Sequence, residues 1–473
     1  MGTARNELEL KQLTGLARNF IEKERIKSGK LSLFDNRYSQ SEMAQIFSQF
    51  CILKVWDSAT FDFFDHFYRF LGFDSLKNDC FRDLVIARII SPTSKAKTRD
   101  FLESKLNKRY SLSSLYRCME KSYRLGYQNV LEDKVMAFAQ SGSTISVLFF
   151  DVTTLYYESF DGDDFRKCGF SKDNKANQPQ LIVTLTVTAT GFPLQLRVFP
   201  GNKFEGHLML PCIKTMIKDH RLKDFVVVAD SAMVSKANME ELEENNLSYI
   251  VGARLGNLPR SLWEQVVSVP KIDGALKRFS FGNDRFLVVS YNRKRANKDR
   301  SDREKQIKRA AFVLRNPAVV GRRYKFLQKT NKEKWELNRT GIQKAERVEG
   351  LKGYLTNVAG LTDKEIVEKY GSLWQVEKSF RISKSDLKAR PIFHTVREKI
   401  EAHLAIVFAG LAIVRLVEKT TNKSIQRALW LLDQIKEVVI EDTVNKEQIS
   451  KYSEIQNQET KDLLEMAKLD WGT

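Results

Sequence analysis

Two apolar runs in the chain each end on a carboxylate. Ser146-Val147-Leu148-Phe149-Phe150 leads into Asp151, and Phe225-Val226-Val227-Val228-Ala229 leads into Asp230. A short continuous apolar run reads as a fully buried strand, so each acid is expected where its strand leaves the core. A third acid, Glu377, lies in the segment Tyr370 to Lys384, whose pattern predicts a helix. Singly, Asp151 could open a turn, Asp230 could cap the next helix and Glu377 could face solvent. Together they carry more, because Asp and Glu are rarely buried unless paired or bound to metal. Three converging carboxylates repel one another until a cation relieves them. Their oxygens suit two magnesium ions, with manganese as a substitute, and such a pair can clamp the attacking and leaving oxygens of a phosphodiester during in-line displacement.

The helix expected around Glu377 adds spacing to residue type. Tyr370, Glu377 and Lys384 are seven residues apart, which at helical pitch places them on one stripe about 10 Å between neighbours. Arg381 falls one turn beyond Glu377. A carboxylate flanked by a phenol and two cations suits a DNA backbone with its reactive phosphate in the middle. A salt bridge from Glu377 to Arg381 at i,i+4 would explain Arg381 alone.

The elements that must position these groups belong to a 473-residue chain, about three domains by length, with 42% hydrophobic and 29% charged residues. Lys and Arg number 78 against 59 Asp and Glu, a formal charge of +19. A chain this basic should attract polyanions, nucleic acid first. The longest apolar stretch, Leu404 to Val417, is too short to span a membrane and contains Arg415, so it reads as a core helix. The N-terminus has no positively charged segment followed by an apolar one. The five cysteines are scattered without paired spacing, which fits a reducing cytoplasm.

Residues 1–140 read as a helical, DNA-binding N-terminal domain. Within it Phe81–Ile90, a helix from about Ser94 to Leu106, and a third opened by Ser111 could form a helix-turn-helix. Its recognition helix would present Ser113, Ser114, Tyr116 and Arg117 to base edges. An ordinary helical bundle would give the same pattern. Residues 141–255 alternate strands and helices: three antiparallel strands, then helix, strand, helix, strand. This predicts an α/β fold with a ribonuclease H-like core, a mixed five-stranded sheet flanked by helices in which the first and fourth strands are neighbours. Residues 256–355 read as an inserted β-rich, basic domain. In its run from Arg293 to Arg309 nine of seventeen residues are Lys or Arg and three are acidic. Such a run is a solvated surface loop or, near a phosphodiester-cutting centre, a phosphate-binding one through Arg293, Lys294, Arg295 and Lys298. Residues 356–420 complete the core with Glu377, and 421–473 read as a C-terminal helical region.

These residues resemble the DDE transposases of bacterial insertion sequences, in the branch whose third acid lies in a Tyr-(2)-Arg-(3)-Glu-(6)-Lys signature. Tyr370, Glu377 and Lys384 match it, and Leu373 stands where the branch has arginine, with Arg381 as a substitute. The resemblance extends through Asp151–Tyr156, Gly169–Asp173, Gly201-Asn202 with Glu205, Ala229–Ala232, and Arg390-Pro391 to His394 and His403, covering about residues 80–417. It implies a ribonuclease H-like fold with an insertion before the glutamate. It further implies two magnesium ions on Asp151, Asp230 and Glu377, no covalent enzyme intermediate, and a homodimer on double-stranded DNA comprising the element's terminal inverted repeats and the target. It also implies a bacterial, nucleoid-associated cytoplasmic location. His394 and His403 would be structural or phosphate contacts, since hard cations prefer oxygen. Trp335 or Trp263 would be the aromatic that stacks on a flipped base, although burial is the commoner role of a Trp. A ribonuclease H-like nuclease without strand transfer, or a non-catalytic DNA-binding descendant, would share much of this pattern, and the intact acids argue against the second.

Overall fold

The structure is a computed structural model that describes residues 48–142, 144–158, 161–169, 177–231, 235–282, 284–315, 324–329, 334–444 and 446–467, with a few positions between 11 and 20. Two compact units are present. One comprises Met1–Trp56 with Lys436–Ser453, the other Asp57–Ile435 with Glu454–Thr473.

In the first unit, Phe50–Trp56, Glu437–Asp442 and Gln448–Tyr452 form a three-stranded antiparallel sheet with Glu437–Asp442 in the middle. Both stretches were expected to be helical. Cys51 pairs with Glu441, and such distant pairing leaves only a short β-branched run as a local signal.

The second unit is built on one eight-stranded sheet: β1 (Val147–Tyr156), β2 (Gln180–Thr188), β3 (Pro193–Pro200), β4 (Val226–Ala229), β5 (Ser248–Ala253), β6 (Leu276–Ser280), β7 (Phe286–Tyr291) and β8 (Leu351–Thr356), in the order β3-β2-β1-β4-β5-β8-β7-β6. β1 pairs antiparallel with β2 and parallel with β4, and β4 pairs parallel with β5. Leu148, Phe149, Phe150, Val227, Val228, Ala229, Ile250 and Val251 are all buried, the reason these strands read as unbroken apolar runs. The β2–β3 hairpin turns at Gly191, whose φ of 79° is open to glycine without strain.

The sheet departs from the expected five strands. β6, β7 and β8, all from the segment read as an insertion, extend it on the β5 side. The basic run is not a loop but part of a 23-residue helix, Arg293–Arg315.

Seven helices frame the site and its surroundings: α1 (Asp79–Ile90), α2 (Lys95–Leu106), α3 (Leu112–Arg124), α4 (Arg293–Arg315), α5 (Asp363–Gly371), α6 (Trp374–Arg381) and α7 (Arg397–Thr421). The first three fall where the sequence placed them, and Ser111 caps α3 by accepting the Ser114 N–H at 3.0 Å. α7 is long and apolar enough to cross a membrane by composition, but 94% of its most apolar window is buried. It packs on α1, α3 and β3 as a core helix.

Candidate active site

The parallel register of β1 and β4 ends with Phe150 beside Ala229. Asp151 and Asp230 are the next residues, so the two acids leave that register on neighbouring strands, whose spacing is about 4.8 Å. One expectation needs correction. β1 does not end at Asp151 but runs on to Tyr156, paired with β2 only, and Asp151 lies opposite Leu185. It is β4 that stops, so the β4 side of β1 opens at Asp151.

Asp151 is half-buried and its Oδ1 accepts the Val152 N–H at 2.7 Å. Asp230 is exposed and accepts through Oδ1 from the Ser231 N–H at 2.7 Å and from the Tyr370 hydroxyl at 3.1 Å. Tyr370 is buried, 5% exposed. Burial, and after it the charge of Asp230, holds its phenol protonated well above the usual tyrosine range. Gly252 makes room for this contact: a Cβ there would stand 2.6 Å from the Tyr370 hydroxyl.

Tyr370, Glu377 and Lys384 do not share one helix. α5 ends at Gly371, α6 starts at Trp374 and Lys384 sits in a π-helical segment, Ile382–Asp386. The break at Ser372-Leu373 sets Tyr370 apart, while Glu377 and Lys384 stay on one uninterrupted helical stretch, 374–386, that passes from α to π. Tyr370 turns inward to Asp230. Lys384 donates from Nζ to Thr153 Oγ1, two residues past Asp151. Glu377 is exposed on α6, which packs over β1 and β2. Leu373 is buried beside the break, so it fills core in place of the arginine. Arg381 is exposed, and among the described residues no ion pair joins it to Glu377.

Several residues that the sequence did not single out complete the site. Lys352 on β8 sits 4.3 Å over the Tyr370 ring. Burial and then Arg295 push its ammonium down, while Asp230 and Glu377 both pull the other way. Two of the three acids thus act on one lysine. α6 is anchored by Ser379, whose hydroxyl donates to the Gly191 carbonyl at 2.9 Å, and by Arg415 of α7. That guanidinium donates to Gln375 Oε1 at 2.7 Å, to the Thr190 and Gly191 carbonyls at 2.6 and 3.1 Å, and to Glu418 at 2.8 Å. No local pattern announces these bonds.

A cavity of about 1270 Å³ extends from the site, with Asp230, Tyr370, Lys352, Arg295, Lys325 and Arg347 in its wall. Arg293, Lys294, Arg295 and Lys298 are exposed at the start of α4, with Arg295 3.5 Å from Asp299. Trp335 is 38% exposed on a small hairpin, Leu327–Lys329 with Trp335–Leu337, whereas Trp263 is buried under Arg347. Of the four residues proposed for base recognition, Ser113 and Arg117 are exposed, Ser114 bonds Ser111 and Tyr116 lies edge-on to His394. Phe170–Asp173 and Ala232 fall outside the described residues.

The donor set is carboxylate oxygen, the chemistry that hard divalent ions take. Among the described residues no three His, Cys, Asp or Glu side chains are drawn close enough to surround an ion. The fit therefore rests on donor type and on the strand register.

A mixed α/β sheet thus carries two acids at the end of the register shared by adjacent parallel strands, and the helix bearing the third packs over β1 and β2. Residues 142–413 match the family described as transposase DDE domain, more than half of the chain, and the chain belongs to that family. Among solved structures it is similar to a piggyBac transposase synaptic complex with hairpin DNA, at 11% identity and a TM-score of 0.41, over 85% of this chain and 70% of that one. No curated protein sequence matches.

Proposed function

We propose that this protein is a DNA transposase that binds the terminal inverted repeats of an insertion sequence, cuts at their ends and joins them to target DNA. The observation that carries the reading is the placement of Asp151 and Asp230 side by side where β4 ends. The order β3-β2-β1-β4-β5, antiparallel through the first three and parallel through the last two, supports a ribonuclease H-like core. The remaining strands, α4 and the small hairpin would then be its elaboration before Glu377.

Asp151, Asp230 and Glu377 would hold two divalent ions. Bound there, these would activate water or a 3′-hydroxyl and stabilise the leaving oxygen. The chain's own groups supply the rest. Tyr370 fixes the orientation of the Asp230 carboxylate through Oδ1. Lys352 and Lys384 place positive charge beside the acids, and Arg381 and the first turns of α4 offer exposed cations to the DNA backbone. Two copies acting on two element ends would form a homodimer, which light scattering of the DNA complex would measure.

Strand transfer separates this reading from that of a plain nuclease. Precleaved end DNA bearing a free 3′-hydroxyl should become joined to plasmid in the presence of magnesium, and cutting without joining would leave only the nuclease. Activity should follow magnesium or manganese, while calcium should support assembly with little chemistry because its looser geometry suits in-line transfer poorly. Undiminished cutting in excess chelator would contradict an oxygen-ligated metal centre.

The α4 surface has its own test. Arg293, Lys294, Arg295 and Lys298 changed together to Gln should weaken binding to end DNA and random DNA by similar factors. If all four meet phosphates, the slope of log K against log salt should fall by roughly 3 to 4, at about 0.9 per contact. Arg117→Gln should instead weaken end DNA more than random DNA, because base contacts specify while phosphate contacts position. An unchanged slope in the four-site variant returns α4 to a solvated helix face.

A further inference from the structure

A second polar centre lies away from the carboxylates. Arg88 in α1, Lys95 at the first position of α2, His403 in α7 and His394 in the segment before α7 are gathered within the larger unit. Arg88, Lys95 and His403 are 6%, 4% and 4% exposed, and His394 is half-buried. The rings of His394 and His403 lie 5.8 Å apart, and Tyr116 of α3 meets His394 edge-on. His403 Nε2 is 3.3 Å from the Ala389 carbonyl, while its Nδ1 is buried with no hydrogen-bond partner among the described residues. The side chains of Arg88 and Lys95 likewise form no hydrogen bond or ion pair among the described residues.

All four groups are pushed toward their neutral forms, first by burial. Lys95 is then repelled by Arg88, and His394 and His403 by both cations. His394 is lowered to about 4 and Arg88 to about 10. The groups that draw Lys95 the other way are the thiols of Cys118 and Cys80, and among the described residues no carboxylate is a leading influence on any of the four. Lys399, which also faces His394, is paired with Glu120 at 3.3 Å. Lys95 is doubly misplaced, because a cation at a helix N-terminus opposes the helix dipole as well as losing its hydration. Buried charges are ordinarily paired. Among the described residues no such partner is present, and the half-exposed His394 marks the side from which one could enter.

We propose that Arg88, Lys95, His394 and His403 form an oxyanion site that takes a phosphate group at the junction of α1, α2, α7 and the segment leading into α7. A guanidinium fork and an ammonium, joined by His403 Nδ1–H once the charge of a bound anion protonates that imidazole, supply more donors than a carboxylate can accept, and they match the oxygens of a phosphate. The phosphate comes either free from solution or from the end of a DNA strand. The site goes beyond the proposed transposase chemistry, since it uses none of the three acids and no metal.

Thermal unfolding of the full chain in chelator tests it, with inorganic phosphate titrated at an ionic strength held constant by chloride. The wild-type midpoint should rise and saturate. Lys95→Met should fold at least as stably without phosphate, having lost an unpaired buried cation, and should bind phosphate about 10- to 100-fold more weakly, as for the loss of a charged hydrogen bond. Arg88→Met should behave alike. A 5′-phosphorylated oligonucleotide that stabilises wild type more than its 5′-hydroxyl twin, with the difference lost in Lys95→Met, assigns the site to DNA ends. A response to inorganic phosphate with no such difference assigns it to the free anion. Equal phosphate responses in wild type and both variants, or no saturable heat when phosphate is titrated into wild type in a calorimeter, overturn the proposal.

Discussion

Asp151→Asn, Asp230→Asn and Glu377→Gln should each reduce cleavage of element-end DNA by roughly a thousandfold or more, while leaving binding to that DNA close to wild type. A metal centre contributes several kcal/mol of transition-state stabilisation, and each ~1.4 kcal/mol is a factor of ten in rate. Each replacement is nearly isosteric and removes the negative charge an ion requires. The three positions are not structurally equal. Asp151 is half-buried within β1, whereas Asp230 and Glu377 are exposed, so Asp151→Asn carries the greatest risk of a folding defect. Cleavage gels and binding shifts on the same preparations check the result, with circular dichroism to verify folding. Near-normal cutting by any one folded variant would remove that residue from the centre, and loss of binding together with cutting would assign it to DNA recognition instead.

Arg415→Leu should destabilise the larger unit by about 3–5 kcal/mol, the range for breaking a buried charged network by removing one partner. Its guanidinium joins the Thr190-Gly191 turn, Gln375 of α6 and Glu418 of α7. Removing it leaves the Thr190 carbonyl and the Gln375 amide oxygen without their donor, although the Gly191 carbonyl keeps Ser379 at 2.9 Å and Glu418 keeps Lys378 at 2.8 Å. Because the same bonds hold the helix that carries Glu377, cleavage should fall even well below the unfolding transition. Arg381→Leu, at an exposed position on α6, should stay within about 0.5 kcal/mol of wild type. Denaturant unfolding of both variants decides the matter. A difference of under about 1 kcal/mol between them would mean that α6 is held by its apolar face rather than by Arg415.

Burial on both faces made the strands that lead to Asp151 and Asp230 legible. A strand covered on either side must be apolar throughout, so Val147–Phe150 and Val226–Ala229 stood out, and each acid after them was conspicuous. The hairpin at Gly191 and the serine cap of α3 could also be read, because turn and cap chemistry is local. The break between α5 and α6 had a local signal too, Gly371 followed by Ser372, but helical spacing from Tyr370 to Lys384 masked it. Had the helix been continuous, Tyr370 would face the same way as Glu377; the break lets it reach Asp230 instead.

Other features depended on partners far along the chain. Nine cations in seventeen residues look like a solvated loop. In the fold, Glu349 accepts from Arg300 and Arg303, and Ala310 and Val313 are buried, so the run is held as a helix. The strand Phe50–Trp56 exists because Glu437–Asp442 pairs with it. Arg415 counted in the sequence as an interruption of an apolar stretch, yet its acceptors lie up to 225 residues away. Residue type and short-range period determined which groups could do chemistry and on which strands, because burial leaves its mark on every residue of an element. Tertiary structure decided which buried charges are paired and which are left facing one another, because pairing depends on groups that meet only when the chain has closed on itself.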